Sequence, residues 1–196
     1  MKYSVGIDEA GRGPLAGPVA VGAVRIKAGF DMKFFEGIKD SKKLSAKKRE
    51  KWFLKAEEAR KRGELDWAVS LVSEKGIDKA GIAPAIRSGI ERCLKKLSAE
   101  TTDRIFLDGG LKLPKEYLYQ ETIIKGDEKI AVISLASICA KVTRDKYMTE
   151  LSKKYPDYGF EIHKGYGTRA HIAAIKKHGA SDVHRKSFLK NIDEKH

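Results

Sequence analysis

The sequence predicts an α/β fold, a mixed central sheet flanked by helices. Three features carry that expectation. The first residues alternate apolar and polar and resume after a Gly/Pro-rich turn, as two paired strands would. Strand-like and helix-like segments alternate from there on. One segment rich in Ala and Ser is apolar on nearly all sides, as a helix lying close on a sheet must be.

In chain order, Tyr3, Val5 and Ile7 alternate with Ser4, Gly6 and Asp8, giving a strand that ends at Asp8. A turn containing Gly11, Gly13, Pro14, Gly17 and Pro18 leads to a second strand over about Val19–Ile26, placed to pair with the first. Ser45 reads as the N-cap of a helix reaching Gly63, with Trp52, Phe53 and Ala56 inward. Asp66–Val72 alternates as a third strand. A helix is expected over about Ile77–Leu97, with Pro84 in its first turn or marking its true start. Arg104–Leu107 and Tyr117–Ile124 read as further strands, and Ile130–Val142 as the close-packed helix. A last helix, about Arg169–His178, stops at Gly179. Residues 1–196 form one domain on this reading, with the sheet in about 1–150 and a C-terminal helical extension in about 151–196.

The chain has 196 residues and a formal net charge of +13. Its two cysteines, Cys93 and Cys139, have neither disulfide-framework nor zinc-cluster spacing, which fits a reducing compartment. No apolar run reaches the roughly 18 residues of a membrane span, and the first residues carry no signal-peptide pattern. A cytoplasmic, monomeric protein with no membrane partner is expected. Between Lys39 and Arg62 eleven Lys/Arg face four Asp/Glu, so more than half of the excess charge lies in one stretch. A solvated helix face accounts for part of it, but Lys39-Asp40-Ser41-Lys42-Lys43 is nearly pure cation in a turn. That is the footprint expected of a phosphate-backbone partner.

Four carboxylates fit poorly on an ordinary surface. Asp8 and Glu9 end an apolar strand beside glycines, Asp108 ends another, and Asp127 follows Lys125-Gly126 just before the most apolar helix. Carboxylates at strand ends beside glycines suit an oxygen-only metal site. Each also has a plainer account: Asp127 as a helix N-cap, Asp108 as a turn opener. Strand periodicity sends Asp8 and Glu9 to opposite faces unless the chain bends at Glu9. Convergence of all four would make a cage for Mg²⁺ or Mn²⁺ suited to phosphoryl chemistry.

The segment Gly6-Ile7-Asp8-Glu9-Ala10-Gly11-Arg12-Gly13-Pro14-Leu15-Ala16-Gly17-Pro18-Val19 resembles the signature of type 2 ribonuclease H (ribonuclease HII). So, in family order, do Asp40-Ser41-Lys42-Lys43-Leu44-Ser45, Leu107-Asp108-Gly109, Lys125-Gly126-Asp127, Ser134–Asp145, His163-Lys164-Gly165-Tyr166-Gly167-Thr168 and His184-Arg185-Lys186-Ser187-Phe188. The resemblance implies a ribonuclease H-like fold whose C-terminal part completes a substrate groove. It also implies metal-dependent endonucleolytic cleavage of the RNA strand of RNA/DNA hybrids and at single ribonucleotides in duplex DNA. The family's catalytic acids fall on Asp8, Glu9, Asp108 and Asp127, holding two Mg²⁺ or Mn²⁺ ions. Ribose recognition falls on Gly11, Arg12 and Gly13, a phosphate contact on Lys42, and a sugar-stacking ring on Tyr166. Asp145 is expected to pair with Arg144 or Lys141 instead. Two departures stand out: Gly81 where an Asn is usual, and no glutamine-plus-aromatic clamp-binding tail after Phe188.

Other chemistries fit less well. The glycine turn is one residue too long for a dinucleotide fingerprint, no P-loop occurs, and Ser45-Ala46-Lys47-Lys48 lacks the companions of a Ser–Lys hydrolase. A metal-free ribonuclease built on a pair from His163, His171, His178 and His184 is the enzyme alternative. A hybrid-binding module needing the basic stretch and Tyr166, but not the carboxylates, is the non-enzyme one.

Overall fold

The computed structural model describes residues 2–38 and 44–190. Strand β1 (Tyr3–Ala10) pairs antiparallel with β2 (Val19–Lys27), and β2 pairs antiparallel with β3 (Leu65–Val72). On its other side β1 runs parallel to β4 (Arg104–Asp108), which runs parallel to β5 (Gln120–Ile123). The mixed sheet thus has the order β3-β2-β1-β4-β5. The carboxyl end of β1, in the middle, lies beside the carboxyl end of β4. Parallel pairing therefore brings the strand ends that carry Asp8 and Asp108 to one edge of the sheet.

Each face of the sheet has its own apolar layer. Val5, Ile7, Val19, Val21 and Ile105 pack against Ile77, Ile86, Ile90, Cys93 and Leu94, which come from α2 (Glu74–Ala80) and α3 (Ile82–Lys96). On the opposite face, Val24 and Ile26 pack with Trp52 and Ala56 of α1 (Ala46–Lys61) and Leu135, Ala136 and Cys139 of α5 (Ala131–Lys154). Gly6 and Gly22 explain how α5 comes so close. A methyl group at either would collide with the α5 backbone, at Val132 and at the Ala136 carbonyl respectively. Small residues on both partners let helix and strands approach as the Ala/Ser-rich pattern implied.

Several boundaries differ from the sequence expectations. β1 continues past Asp8 to Ala10, so there is no bend at Glu9. Ser45 does cap α1, its Oγ accepting from the Lys48 N–H, but Phe53 is only half-buried. The helix expected over Ile77–Leu97 is two helices, because Gly81 adopts φ 87°, a region that ends an α-helix and favours glycine. β5 is shorter than Tyr117–Ile124. Helix α5 extends to Lys154, well past Val142: its second half turns charged outward yet keeps Arg144, Met148 and Leu151 buried. Asp127 is not an N-cap. It lies inside the short α4 (Gly126–Lys129), and α5 begins without a side-chain cap.

The C-terminal part contains α6 (Phe160–His163), α7 (Arg169–His178) and α8 (Lys186–Leu189). It packs on the far half of α5 through Met148, Leu151, Tyr158, Phe160 and Val183, and Ala16 from the glycine-rich loop joins that cluster. Thr168 caps α7 through the His171 N–H, and Gly179 ends it as expected. Asp78 of α2 fixes the start of α8, accepting from the Lys186 N–H (2.9 Å), the Ser187 N–H (3.0 Å) and the Ser187 hydroxyl. The tail beyond Lys190 lies outside the described residues, as does Lys39–Lys43. Among the described residues no helix is long and apolar enough to cross a membrane.

Candidate active site

Sheet topology places Asp8, Glu9 and Asp108 at the rim of a pocket of about 400 Å³, together with Ala10, Gly11, Arg12, Gly13, Arg49, Ser137, Lys141 and Tyr166. Although Asp8 and Glu9 are consecutive in β1, the pocket wraps the strand end and receives both. Asp8 is 1% exposed, and its Oδ1 accepts from the Glu9 N–H at 2.7 Å. Its other oxygen, Oδ2, is buried without a hydrogen-bond partner. Burial first, then the neighbouring carboxylates of Glu9 and Asp108, hold the Asp8 carboxyl well above its ordinary range, against the Ser137 hydroxyl and the Glu9 N–H. Asp108 Oδ1 accepts from the Gly126 N–H at 2.6 Å, which ties β4 to α4 and holds Asp127, itself 1% exposed, next to the cluster. Ser134 of α5 donates to the Asp127 carbonyl and fixes α4 from below.

Asp127 does not line the pocket. Among the described residues no three Asp, Glu, His or Cys side chains already close on one point as a preformed cage. The donor set is nonetheless all-oxygen, and one buried carboxylate oxygen has no protein donor. Two further acids disfavour the charge on Asp8. A divalent cation would offset each of these costs, so the residues present fit Mg²⁺ or Mn²⁺. Cations already line the same walls. Arg12 reaches Glu9 at 3.2 Å, and Lys141 pairs with Asp145 at 2.8 Å, which is the pairing expected for Asp145.

Gly11 has φ 86°, whereas Gly13 does not need positive φ, and a methyl at Gly13 would meet open space. Tyr166 follows Gly165, itself at φ 83°, and the residue is 41% exposed, so it is no core tyrosine. Lys141 Nζ and the Arg144 guanidinium lie 5.6 and 5.9 Å from the ring centroid. Lys42 lies outside the described residues. Lys47 and Lys48, from the same basic stretch, are exposed.

Arg49, Ser137 and Lys141 were not anticipated at this site. A signal for Arg49 was present: it stands three and seven positions before the buried Trp52 and Ala56, on the inward stripe of α1. Ser137 and Lys141, four apart on α5, likewise share one helical face.

The histidines form a separate structure. His171 Nε2 and His184 Nε2 are 3.1 Å apart, His163 stacks on His171 at 4.4 Å, and Phe160 packs against all three. His171 and His184 are 0% and 1% exposed. Burial, foremost, lowers His184 and brings His171 down to about 4. His171 Nδ1 donates to the Tyr166 carbonyl (2.9 Å), and His184 Nδ1 accepts from the Ser181 N–H (3.0 Å). Together these assign His184 Nε2 as the donor between the two neutral rings. A buried neutral pair with every nitrogen engaged cannot approach a phosphodiester. Both ring nitrogens of His163 are engaged as well, by the Tyr158 carbonyl and the Gly165 N–H, which leaves exposed His178 without a free histidine to pair with among the described residues.

Comparison with known proteins bears on the family and the fold. The family model "Ribonuclease HII" matches residues 5–191. The chain is 47% identical to a ribonuclease HII of Ruminiclostridium cellulolyticum over 98% of its own length and 72% of that protein. The ribonuclease H2 of Pyrococcus horikoshii superposes with a TM-score of 0.73 at 28% identity, covering 98% of this chain and 97% of that one. Ribonuclease HII of Archaeoglobus fulgidus, solved in a complex with PCNA, gives a TM-score of 0.74 at 27% identity, covering 94% of each chain. The mixed sheet is therefore that of the ribonuclease H fold, and the family acts as endonucleases on RNA in hybrids with the help of divalent metal. With the family model matching nearly the whole length and a relative 47% identical over 98% of the chain, this chain belongs to the ribonuclease HII family.

Proposed function

We propose that this protein cuts the RNA strand of RNA/DNA hybrids and also duplex DNA at single embedded ribonucleotides, leaving 5′-phosphate and 3′-hydroxyl ends. One observation carries the reading: the acids Asp8, Glu9 and Asp108, the Gly11–Gly13 backbone and the exposed Tyr166 ring share one pocket. Acids alone would suit many phosphoryl enzymes. A backbone segment free of side chains at two positions, beside an aromatic platform, suits one that inspects a sugar.

In this reading Asp8, Glu9, Asp108 and Asp127 hold two Mg²⁺ or Mn²⁺ ions. The bound metal supplies a Lewis acid and a water of lowered pKa at neutral pH. Asp8 and Asp108 fix where the scissile phosphate comes to rest, since both are immobilised by backbone hydrogen bonds. Arg49 and Lys141 offset phosphate charge at the pocket wall, and the exposed Lys47 and Lys48 extend that attraction along α1, with Lys42 before them. Gly11, Arg12 and Gly13 read the 2′-hydroxyl through the backbone. Tyr166 stacks on the sugar of the next nucleotide and so favours an RNA-to-DNA junction.

The decisive experiment is cleavage of duplex DNA holding one ribonucleotide, in Mg²⁺ and in EDTA, with the product ends identified. Cleavage in Mg²⁺ alone, with 5′-phosphate and 3′-hydroxyl ends, is expected. Persistence in EDTA with cyclic-phosphate products would sink the reading.

A further inference from the structure

Arg144 and Arg185 are both 0% exposed, yet neither has an ion pair with a carboxylate among the described residues. Burial of two like charges side by side is costly, and the partners that hold them are backbone carbonyls. Arg185 donates from Nη2 to Gly11 O (2.7 Å), from Nη1 to Arg12 O (2.9 Å) and from Nε to Gly17 O (2.9 Å). Arg144 donates from Nε to Pro18 O (2.8 Å), from Nη2 to Ala16 O (3.2 Å) and from Nη1 to Lys164 O (3.0 Å). Five of these six carbonyls belong to the loop between β1 and β2, and the sixth precedes Gly165-Tyr166.

The choice of carbonyls has a geometric consequence. All peptide bonds described are trans, so each C=O points opposite to the N–H of the same peptide unit. When Arg185 draws the Gly11 and Arg12 carbonyls inward, it turns the N–H groups of Arg12 and Gly13 outward. Neither N–H has an acceptor among the described residues, and both residues line the pocket of the acids. Two successive outward N–H groups form the kind of concavity that receives an oxygen. Gly11 is required on the inner side as well, because a methyl there would run into the Arg144 side chain.

We infer that Arg144 and Arg185 are positioning residues for ribose recognition: they lock the Gly11–Pro18 loop so that it offers paired N–H donors, not carbonyls, to the sugar oxygen. This rests on the ribonucleotide-cleaving reading above and deepens it. Asp78 belongs to the same device, since by holding the start of α8 it sets the depth at which Arg185 enters.

The test compares wild type, Arg185→Lys and Asp78→Ala as metal-loaded enzymes. Two quantities are read: kcat/KM on a single-ribonucleotide duplex, and Kd for an all-DNA duplex of the same sequence. Lysine keeps the charge but cannot serve three carbonyls in one plane. Arg185→Lys should lose about tenfold or more in kcat/KM with Kd for DNA unchanged, and Asp78→Ala should lose less in the same direction. Unchanged kcat/KM, or an equal fall in DNA binding, would overturn the inference. Should Arg185→Lys not fold, amide exchange decides. The Arg12 and Gly13 N–H groups should exchange freely in the free protein. In an Asp108→Asn background they should be protected by the ribonucleotide duplex but not by all-DNA. Protection already present in the free protein would overturn the inference. A wild type that cuts no ribonucleotide duplex would sink the parent reading, while exchange in the free protein still judges the loop.

Discussion

The two walls of the pocket are held by opposite physical means. The acids stand on strand ends whose neighbours are fully buried aliphatic residues, so their positions follow from sheet pairing and an apolar core. The facing loop, from Gly11 to Pro18, belongs to no strand: its Leu15–Gly17 part bonds to the backbone of Gly165, Val183 and Arg185, and two guanidiniums grip it from beneath. A wall fixed by apolar packing tolerates a change of charge at its tip. A wall fixed by directional bonds tolerates no added volume at its base. The difference separates residues whose loss abolishes chemistry from residues whose loss undoes the fold.

The largest effect is expected on the acid wall. Asp8→Asn and Asp108→Asn should each lower cleavage by roughly 10³-fold or more while leaving the melting temperature intact. Asp8→Asn should even hold or raise it, because a buried charge that burial already disfavours is removed. A variant that unfolded instead would show that the acid also holds the strand end together. Next comes the platform. Tyr166→Phe should keep most activity, whereas Tyr166→Ala should lose about 10- to 100-fold, in line with ~1–3 kcal/mol for stacking. The loss should fall chiefly on junction substrates, and an unchanged ratio of junction to long-hybrid cleavage would remove Tyr166 from that role.

The loop wall should respond in stability. Gly11→Ala forces a methyl into positive φ and against Arg144, and about 2–4 kcal/mol of destabilisation is expected. Gly13→Ala should stay within about 0.5 kcal/mol, since its methyl meets open space, while still impairing cleavage. Urea denaturation of the two variants measures the contrast, and equal losses would erase it. The last effect appears only on acidification. His171, at about 4 when folded, and His184, also lowered, stay neutral in the native state where the unfolded chain takes up protons. The unfolded state therefore binds more protons below the ordinary histidine range of about 6.5. Stability should decline as pH falls from there toward about 4 and be unaffected by these groups above it. His171→Phe should shallow that decline, and an identical pH profile would refute the assignment.

The acid wall was legible in the sequence and the loop wall was only half so. Alternation in Tyr3–Asp8 and Val19–Ile26 gave the hairpin, and acids at strand ends beside glycines gave Asp8, Glu9 and Asp108. Asp127 was recognisable as unusual, but not that it would sit inside a short helix beside the pocket. Pro84 had marked a possible helix start close to the observed one at Ile82, but local pattern did not show that the break falls at Gly81, where one backbone angle ends an otherwise continuous helical periodicity. Nor could it see Arg144 and Arg185 as interior residues. Charged side chains default to the surface, and the carbonyls that bury these two lie up to 128 and 174 positions away along the chain. Lys141 was read as a partner for Asp145 and is one, yet the same side chain also faces the pocket.

The route of Arg185 into the loop has a consequence for the order of synthesis. Ala10 and Ala20 flank a segment that precedes by 168 to 174 residues the guanidinium that sets its carbonyls. A nascent chain can pair β1 with β2 and close both apolar layers while the loop between them is still unset. Such a chain would carry its acids in place but not the shaped ribose contact. On the proposed reading, discrimination between ribose and deoxyribose would be gained only when residue 185 docks.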